Sequence, residues 1–218
     1  MKVQTKVQTP TIEFFFDCSS PWTYLAFRGL QRLASELQAN ISWRPVLVGG
    51  IFNSVNKGMY TAREDMDSPK NRYVLKDLQD CAREAGVSIA FPPKVFPVNS
   101  VKAMRGCLWI AQDAEAKGVK NRCLEFIEAT FAAYFTNQQD ISRDDVLTAI
   151  CVQTGIDPAA FQAGISEPHI KDGLRANTEE AIARGAFGSP TFFVGSDMYF
   201  GNDRLSLLAS AVRRVNAV

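Results

Sequence analysis

The chain has 218 residues, which suits one large domain or a smaller domain carrying an insertion. Its 46% hydrophobic and 22% charged residues are ordinary for a soluble globular protein, and a net charge of +1 gives no general pull towards nucleic acid. No apolar run approaches the ~20 residues that span a bilayer, so a membrane partner is not expected either.

The first ten residues, "MKVQTKVQTP", are polar and lack the apolar stretch of a secretory signal, so they read as a flexible tail (1–10). "TIEFFFD" (11–17) is short, aromatic and almost continuously apolar, which predicts a buried strand. "PWTYLAFRGLQRLASEL" (21–37) places Trp22, Ala26, Leu30, Leu33 and Leu37 on one helical face. "ISWRPVLV" (41–48) is strand-like again, with Pro45 pointing to an irregular or edge position. A β-α-β opening of this kind pairs its strands in parallel through a right-handed crossover. Residues 49–71 are rich in turn formers and polar groups and read as a loop. A helix follows through "RYVLKDLQDCAREAG", with Gly86 as its stop. "FPPKVFPVNS" holds three prolines and must be extended or turning. Asn99 or Ser100 then caps a helix through "VKAMRGCLWIAQDAEAKG".

"CLEFIEATFAAYFTN" sets Leu124, Ile127, Phe131 and Tyr134 on one side of a further helix. "SRDDVLTAICVQTG" opens with a capping-box pattern, Ser142 to Asp145, and stops at Gly155. "DPAAFQAG" offers Asp157 as cap and Pro158 as first helical residue. "PHIKDGLRANTEEAIARG" carries Ile170, Leu174 and Ala181 at helical spacing, with Gly185 as its stop. "TFFV" and "MYF" flank Gly195-Ser196-Asp197, a hairpin turn, and "DRLSLLASAVRRV" is a closing amphipathic helix. The order is β-α-β, a helical block, then α-β-β-α. Without the helical block, that is the order of a thioredoxin fold.

The five cysteines, Cys18, Cys81, Cys107, Cys123 and Cys151, are scattered and form no C-x-x-C pair. That is the pattern of reduced thiols in a cytoplasmic protein. The single histidine, His169, argues against a zinc cluster and reads as a surface residue.

Three places can carry chemistry. Ser20-Pro21 is the preferred cap and first-residue pair of a helix. The same corner offers free N–H groups and a positive dipole end to an anion, stabilising it by about 0.3–1 kcal/mol, or ~2 when partly buried. A hydroxyl donor adds about 1.5–3 kcal/mol. Together these would lower a bound thiol's pKa by roughly one to three units from ~8.5, so a serine here can activate a sulfur borrowed from another molecule. Ser189-Pro190, in "AFGSPTFFV", is either a trans proline that starts a strand or a cis proline that turns the Ser189 backbone towards an extended peptide. In "FGNDRL", Asn202 or Asp203 is a helix cap, or else Asp203 is the partner of an ammonium group.

Together, "FFFDCSSPWTYLAF", "AFGSPTFFV" and "YFGNDRLSLL" resemble the matching segments of the kappa-class glutathione transferases and the bacterial 2-hydroxychromene-2-carboxylate isomerases. "ISWRPVLVGGIFNSVNKG", "RYVLKDLQDCA" and "FPPKVFPVNSVKAMRG" are similar to them too, so the likeness runs from Thr11 to the end of the chain. The resemblance implies an α/β fold of the DsbA-like type. It divides into a thioredoxin-like domain over 11–50 and 168–218 and an inserted all-helical domain over 51–167. It also implies glutathione as cofactor. By the same resemblance Ser20 stands beside the glutathione sulfur, where redox relatives carry their first cysteine, and Thr23 takes the place of the second. Pro21 and Trp22 complete that corner. Asn56, Ser189, Pro190, Asn202 and Asp203 hold the glutathione peptide and its γ-glutamyl end. Lys57 and Tyr73 lie where isomerases contact substrate. Ser189 is variable in the family, which points to its backbone rather than its side chain. Cys18 is unusual at its position, and strand alternation would bury it and leave it inert.

The expected activity is glutathione-dependent isomerisation of a small aromatic-derived keto acid, by reversible addition of an enzyme-bound thiolate, in aromatic degradation. The alternatives are a kappa-like transferase or peroxidase, and a non-catalytic glutathione- or peptide-binding protein. Redox activity is disfavoured, because no second cysteine can resolve a mixed disulfide. Related proteins are often homodimers, and nothing in the sequence fixes an interface.

Overall fold

The computed structural model describes residues 9–61 and 67–216. The expected tail lies outside these as far as residue 8. Pro10 is already held: it is buried, and its carbonyl accepts the Asn40 N–H at 2.8 Å.

Strand β1 (Thr11–Phe16) is the spine of a mixed sheet. It pairs in parallel with β2 (Asn40–Pro45) and antiparallel with β3 (Thr191–Val194). The hairpin from β3 to β4 (Asp197–Phe200) completes the order β2-β1-β3-β4. Ile12, Phe14 and Phe16 face one side and Phe15 the other, and all of them are 0% exposed. A strand buried on both faces reads as continuous apolar sequence rather than as alternation.

On the first face, Phe14 stacks on Phe192 at 4.9 Å between ring centres. Leu30 of α1 (Pro21–Leu37) and Leu208 of α10 (Leu205–Asn216) belong to the same core. On the second face, Phe15 and Phe193 pack with Ile51 of α2 (Val48–Val55) and Ala181 of α9 (Pro168–Ala183). Glu13 shares that side and pairs with Arg44 and Arg184. The Arg184 guanidinium lies 3.7 Å from the centre of the Phe193 ring.

Between α2 and α9 the described elements are all helices. The chain runs through α3 (Gly58–Thr61), α4 (Pro69–Ala85), α5 (Val101–Lys117), α6 (Cys123–Phe131), α7 (Asp144–Thr154) and α8 (Pro158–Gly164). Leu78, Met104, Phe126, Leu147 and Phe161 join the core of the first sheet face, so these helices share the sheet's hydrophobic interior. The chain therefore has the expected α/β, DsbA-like thioredoxin fold with a helical insertion.

Several local expectations are corrected. Residues 49–71 are not simply a loop, since they contain most of α2, all of α3 and the start of α4. Val48, Ile51, Phe52 and Val55 have helical spacing, which Gly49-Gly50 and Asn53-Ser54 obscure in the sequence. Strand β2 accordingly ends at Pro45, short of residue 48. The α4 helix begins at Pro69 because Ser68 caps it, accepting the Asn71 N–H at 3.3 Å. The capping box at Ser142 does not form: Ser142 Oγ donates to Asp140 at 2.6 Å, and Asp145 is held by Arg143. Leu124 turns outward, and the helix ends in a π turn over Ala132–Thr136 that buries Tyr134. Ser100 holds the cap position of α5, but Asn99 Oδ1 accepts the Val101 N–H there at 3.0 Å. The final hairpin turns on Gly195 and Ser196 alone, since Asp197 already pairs with Val194.

Gly164 marks the tightest approach of α8 to α5. A Cβ at Gly164 would lie 2.1 Å from Trp109 Nε1, and that indole already packs edge-on against Phe161. Gly164→Ala is expected to destabilise the fold by about 1–3 kcal/mol through overpacking. Urea denaturation should show a lower midpoint at unchanged slope.

Candidate active site

The site is built where β1 runs into α1. Ser20 caps α1 in extended backbone, and its Oγ accepts the Thr23 N–H at 3.3 Å. The same hydroxyl donates to the Ser189 carbonyl at 3.1 Å. Pro21 fills the first helical position without sacrificing a bond. The Trp22 N–H, next along, has no acceptor within the helix.

The Ser189–Pro190 peptide bond is cis, as are Phe91–Pro92 and Phe96–Pro97. Ser189 contributes more than its backbone. Its Oγ accepts the Asp17 N–H at 3.0 Å and lies 2.8 Å from Thr23 Oγ1. The residue that follows β1, the first turn of α1 and the approach to β3 are therefore tied together at one hydroxyl.

Asp17 is the buried acid of this corner. Its carboxylate accepts the Ser19 N–H at 2.9 Å and the Val48 N–H at 2.8 Å, and the Ser100 hydroxyl also favours its ionised form. Burial pushes its carboxyl above the usual range, and these donors pull it part of the way back.

A cleft of about 650 Å³ opens over the corner. Its side walls come from α2, α4 and the start of α5, with Phe91 and Phe96 packed edge to face at 5.0 Å. Phe187 and Phe200 also line it, 40% and 37% exposed, with ring centres 4.3 Å apart. Residues from the first turns of α1, α2, α4 and α5 all line this one cleft. Their positive dipole ends favour an anion there. Among the described residues lining it, the charged groups are Asp17 and Lys70.

Ser20, Pro21, Trp22, Asn56 and Ser189 come together in the cleft. Asn56 ends α2 and donates to the Phe187 carbonyl at 3.0 Å. Pro190 stands behind the lining, where its carbonyl accepts the Gly201 N–H at 3.1 Å. Asn202 and Asp203 do not line the cleft. Asp203 is exposed and pairs with Arg204. Gly201 has φ +102°, and a Cβ there would meet Asp203 Oδ1 at 2.6 Å, so this turn requires glycine. Lys57 and Tyr73 are exposed and also lie outside the lining. Lys70, Asn71 and Val74 of α4 line the cleft instead.

The residues that sequence reasoning missed are Asp17, Lys70 and the aromatic wall. An acid at the end of an apolar strand was the available signal for Asp17. Phe91 and Phe96 were legible only as part of a proline-rich segment. His169 is exposed, beside Glu167 at 3.1 Å.

Residues 11–213 match the DsbA-like thioredoxin domain family. The chain belongs to this family. Within it, the chain is 26% identical to the 2-hydroxychromene-2-carboxylate isomerase of Pseudomonas putida, over 94% of this chain and 95% of that one. It is 28% identical to human glutathione S-transferase kappa 1, over 91% and 89% of the two chains. A solved 2-hydroxychromene-2-carboxylate isomerase superposes with a TM-score of 0.75 at 25% identity, covering 94% of this chain and 95% of that one. These are the two groups that the sequence motifs resemble.

Among the described residues no thiol takes part in this corner's hydrogen bonding, although Cys18 is nearby in sequence. Cys18, Cys107, Cys123 and Cys151 are buried. Burial pushes the Cys18 thiol up and the Cys151 thiol to about 12. Cys81 is half-buried. A chromogenic disulfide reagent at neutral pH should therefore titrate Cys81 alone in the native protein. All five thiols should react after unfolding.

Proposed function

We propose that the protein is a glutathione-dependent isomerase of the 2-hydroxychromene-2-carboxylate isomerase type. The observation that carries this is Ser20: a hydroxyl at the open end of α1, inside an anion-favouring cleft, with threonine at the partner position. The volume of about 650 Å³ lies within the ~300–1,000 Å³ typical of small-molecule sites. The relatives are enzymes by name and match over nearly their whole length, which supports an enzyme here.

When bound, glutathione would supply a thiolate that adds to a conjugated carbon of an aromatic-derived keto acid and is eliminated, itself unchanged, once that acid has isomerised. The chain's own part is to hold and ionise that sulfur. The Ser20 hydroxyl turns from the Ser189 carbonyl to the sulfur, while the Thr23 N–H keeps its hold on Ser20 Oγ. The Trp22 N–H and the positive end of α1 favour the ionised form. The Ser189 carbonyl then becomes available, beside Pro190, for an extended peptide backbone, and the Asn56 amide adds a donor. Asp203 would take an ammonium group in exchange for Arg204, with Asn202 alongside. Lys70, which lines the cleft, would attract the substrate's carboxylate, with Lys57 and Tyr73 as further substrate contacts. In this reading 11–50 and 168–218 handle glutathione, and 51–167 supplies most of the substrate wall.

A transferase of the kappa type is the second reading, favoured by the 28% identity to the human enzyme. It would consume glutathione rather than return it.

Calorimetric titration of glutathione should show binding with proton release in wild type. Ser20→Ala should weaken it by about ten-fold or more, the value of a charge-assisted hydrogen bond, while the lost cap costs ~1 kcal/mol of stability. Turnover of 2-hydroxychromene-2-carboxylate should require glutathione without depleting it. Depletion with a chloronitroaromatic would select the transferase, and absence of binding would remove both readings.

A further inference from the structure

Asp17 lines the deep end of the cleft yet is only 1% exposed. Its carboxylate holds the Ser19 N–H before α1 and the Val48 N–H at the start of α2, and the Ser100 hydroxyl, at the cap position of α5, acts on it to favour the ionised form. Its own N–H donates to Ser189 Oγ, ahead of β3. Ser19, Val48, Ser100 and Ser189 come from separate stretches of chain, and every one of them also lines the cleft.

A carboxylate that accepts from two segments and faces the hydroxyl of a third fixes their mutual placement. An amide of the same shape cannot do so: it accepts at one oxygen and turns N–H donors towards N–H donors. The titratable groups that couple to Asp17 are Cys18 and Cys107, thiols that burial keeps protonated. Neither supplies a charge that could replace it.

We propose that Asp17 is the positioning residue that keeps the substrate-side wall of the cleft, at Val48 and Ser100, in register with the Ser20 corner. The proposal rests on the glutathione reading of this site. Asp17 acts through Ser20 and does not touch the sulfur.

The test compares wild type, Asp17→Asn and Ser100→Ala. The readouts are calorimetry with glutathione, ultraviolet absorbance of the bound thiolate against pH, and melting temperature. Asp17→Asn should raise the Kd for glutathione by about ten-fold or more and move the bound thiol's ionisation up towards its free value. Ser100→Ala removes one donor and keeps the acid, and should raise the Kd by roughly two- to five-fold. An Asp17→Asn protein that melts lower but binds and ionises glutathione like wild type would overturn the proposal. So would a downward shift of the ionisation, which would mark Asp17 as a charge opposing the thiolate. If Asp17→Asn does not fold, Ser100→Ala decides, and unchanged affinity and ionisation in it overturn the proposal. Failure of wild type to bind glutathione would instead sink the reading on which the proposal rests.

Discussion

Strand β1 is buried on both faces through Phe14, Phe15 and Phe16, and the rest of the molecule follows from that constraint. Each of its faces must be covered, so α1 and α10 pack on one and α2 and α9 on the other. Because β1 and β2 are parallel, their C-terminal ends lie on the same edge of the sheet. The Val46 N–H still reaches the Phe16 carbonyl at 2.9 Å, so the two chains leave that edge side by side. The helices that follow, α1 and α2, must both begin there. The meeting of helix N-termini at one cleft is thus a result of strand pairing, and it is what makes the corner receptive to negative charge.

Elements with a strong local signal were legible in the sequence. The α1 helix was fixed by its Ser-Pro start and by the spacing of Ala26, Leu30 and Leu33. The α8 helix was fixed by Asp157-Pro158, whose cap bond to the Ala159 N–H measures 2.9 Å. Elements failed where local chemistry and tertiary packing disagree. Residues 48–55 look like a turn because of paired glycines, yet Ile51 and Phe52 are buried and supply what the glycines lack. At Ser142 the capping pattern is present, but Asp140 competes for the hydroxyl and Arg143 for the acid. A sequence window does not rank such competitors.

The candidate site divides in the same way. Ser20 and the cis bond before Pro190 belong to short motifs whose geometry is local. Asn56 could be placed at the cleft through resemblance, and it does line it. Lys57 and Tyr73 are exposed outside the lining, while their sequence neighbours Asn56 and Val74 line the cleft. Asp17 was hidden for a different reason. Its partners Val48, Ser100 and Ser189 are far apart along the chain, and only the folded arrangement gives a buried acid enough donors.

The bond between the Ser20 hydroxyl and the Ser189 carbonyl has an energetic consequence for selectivity. An incoming sulfur does not meet a bare donor; it must displace an existing acceptor. A neutral thiol is a weaker acceptor than a carbonyl and gains nothing by the exchange. A thiolate gains the difference between a charge-assisted and a neutral hydrogen bond, about 1–1.5 kcal/mol, or roughly a five- to ten-fold preference. Under the proposed reading the corner would discriminate between protonation states of the same molecule, its donor staying internally satisfied until the reactive form arrives.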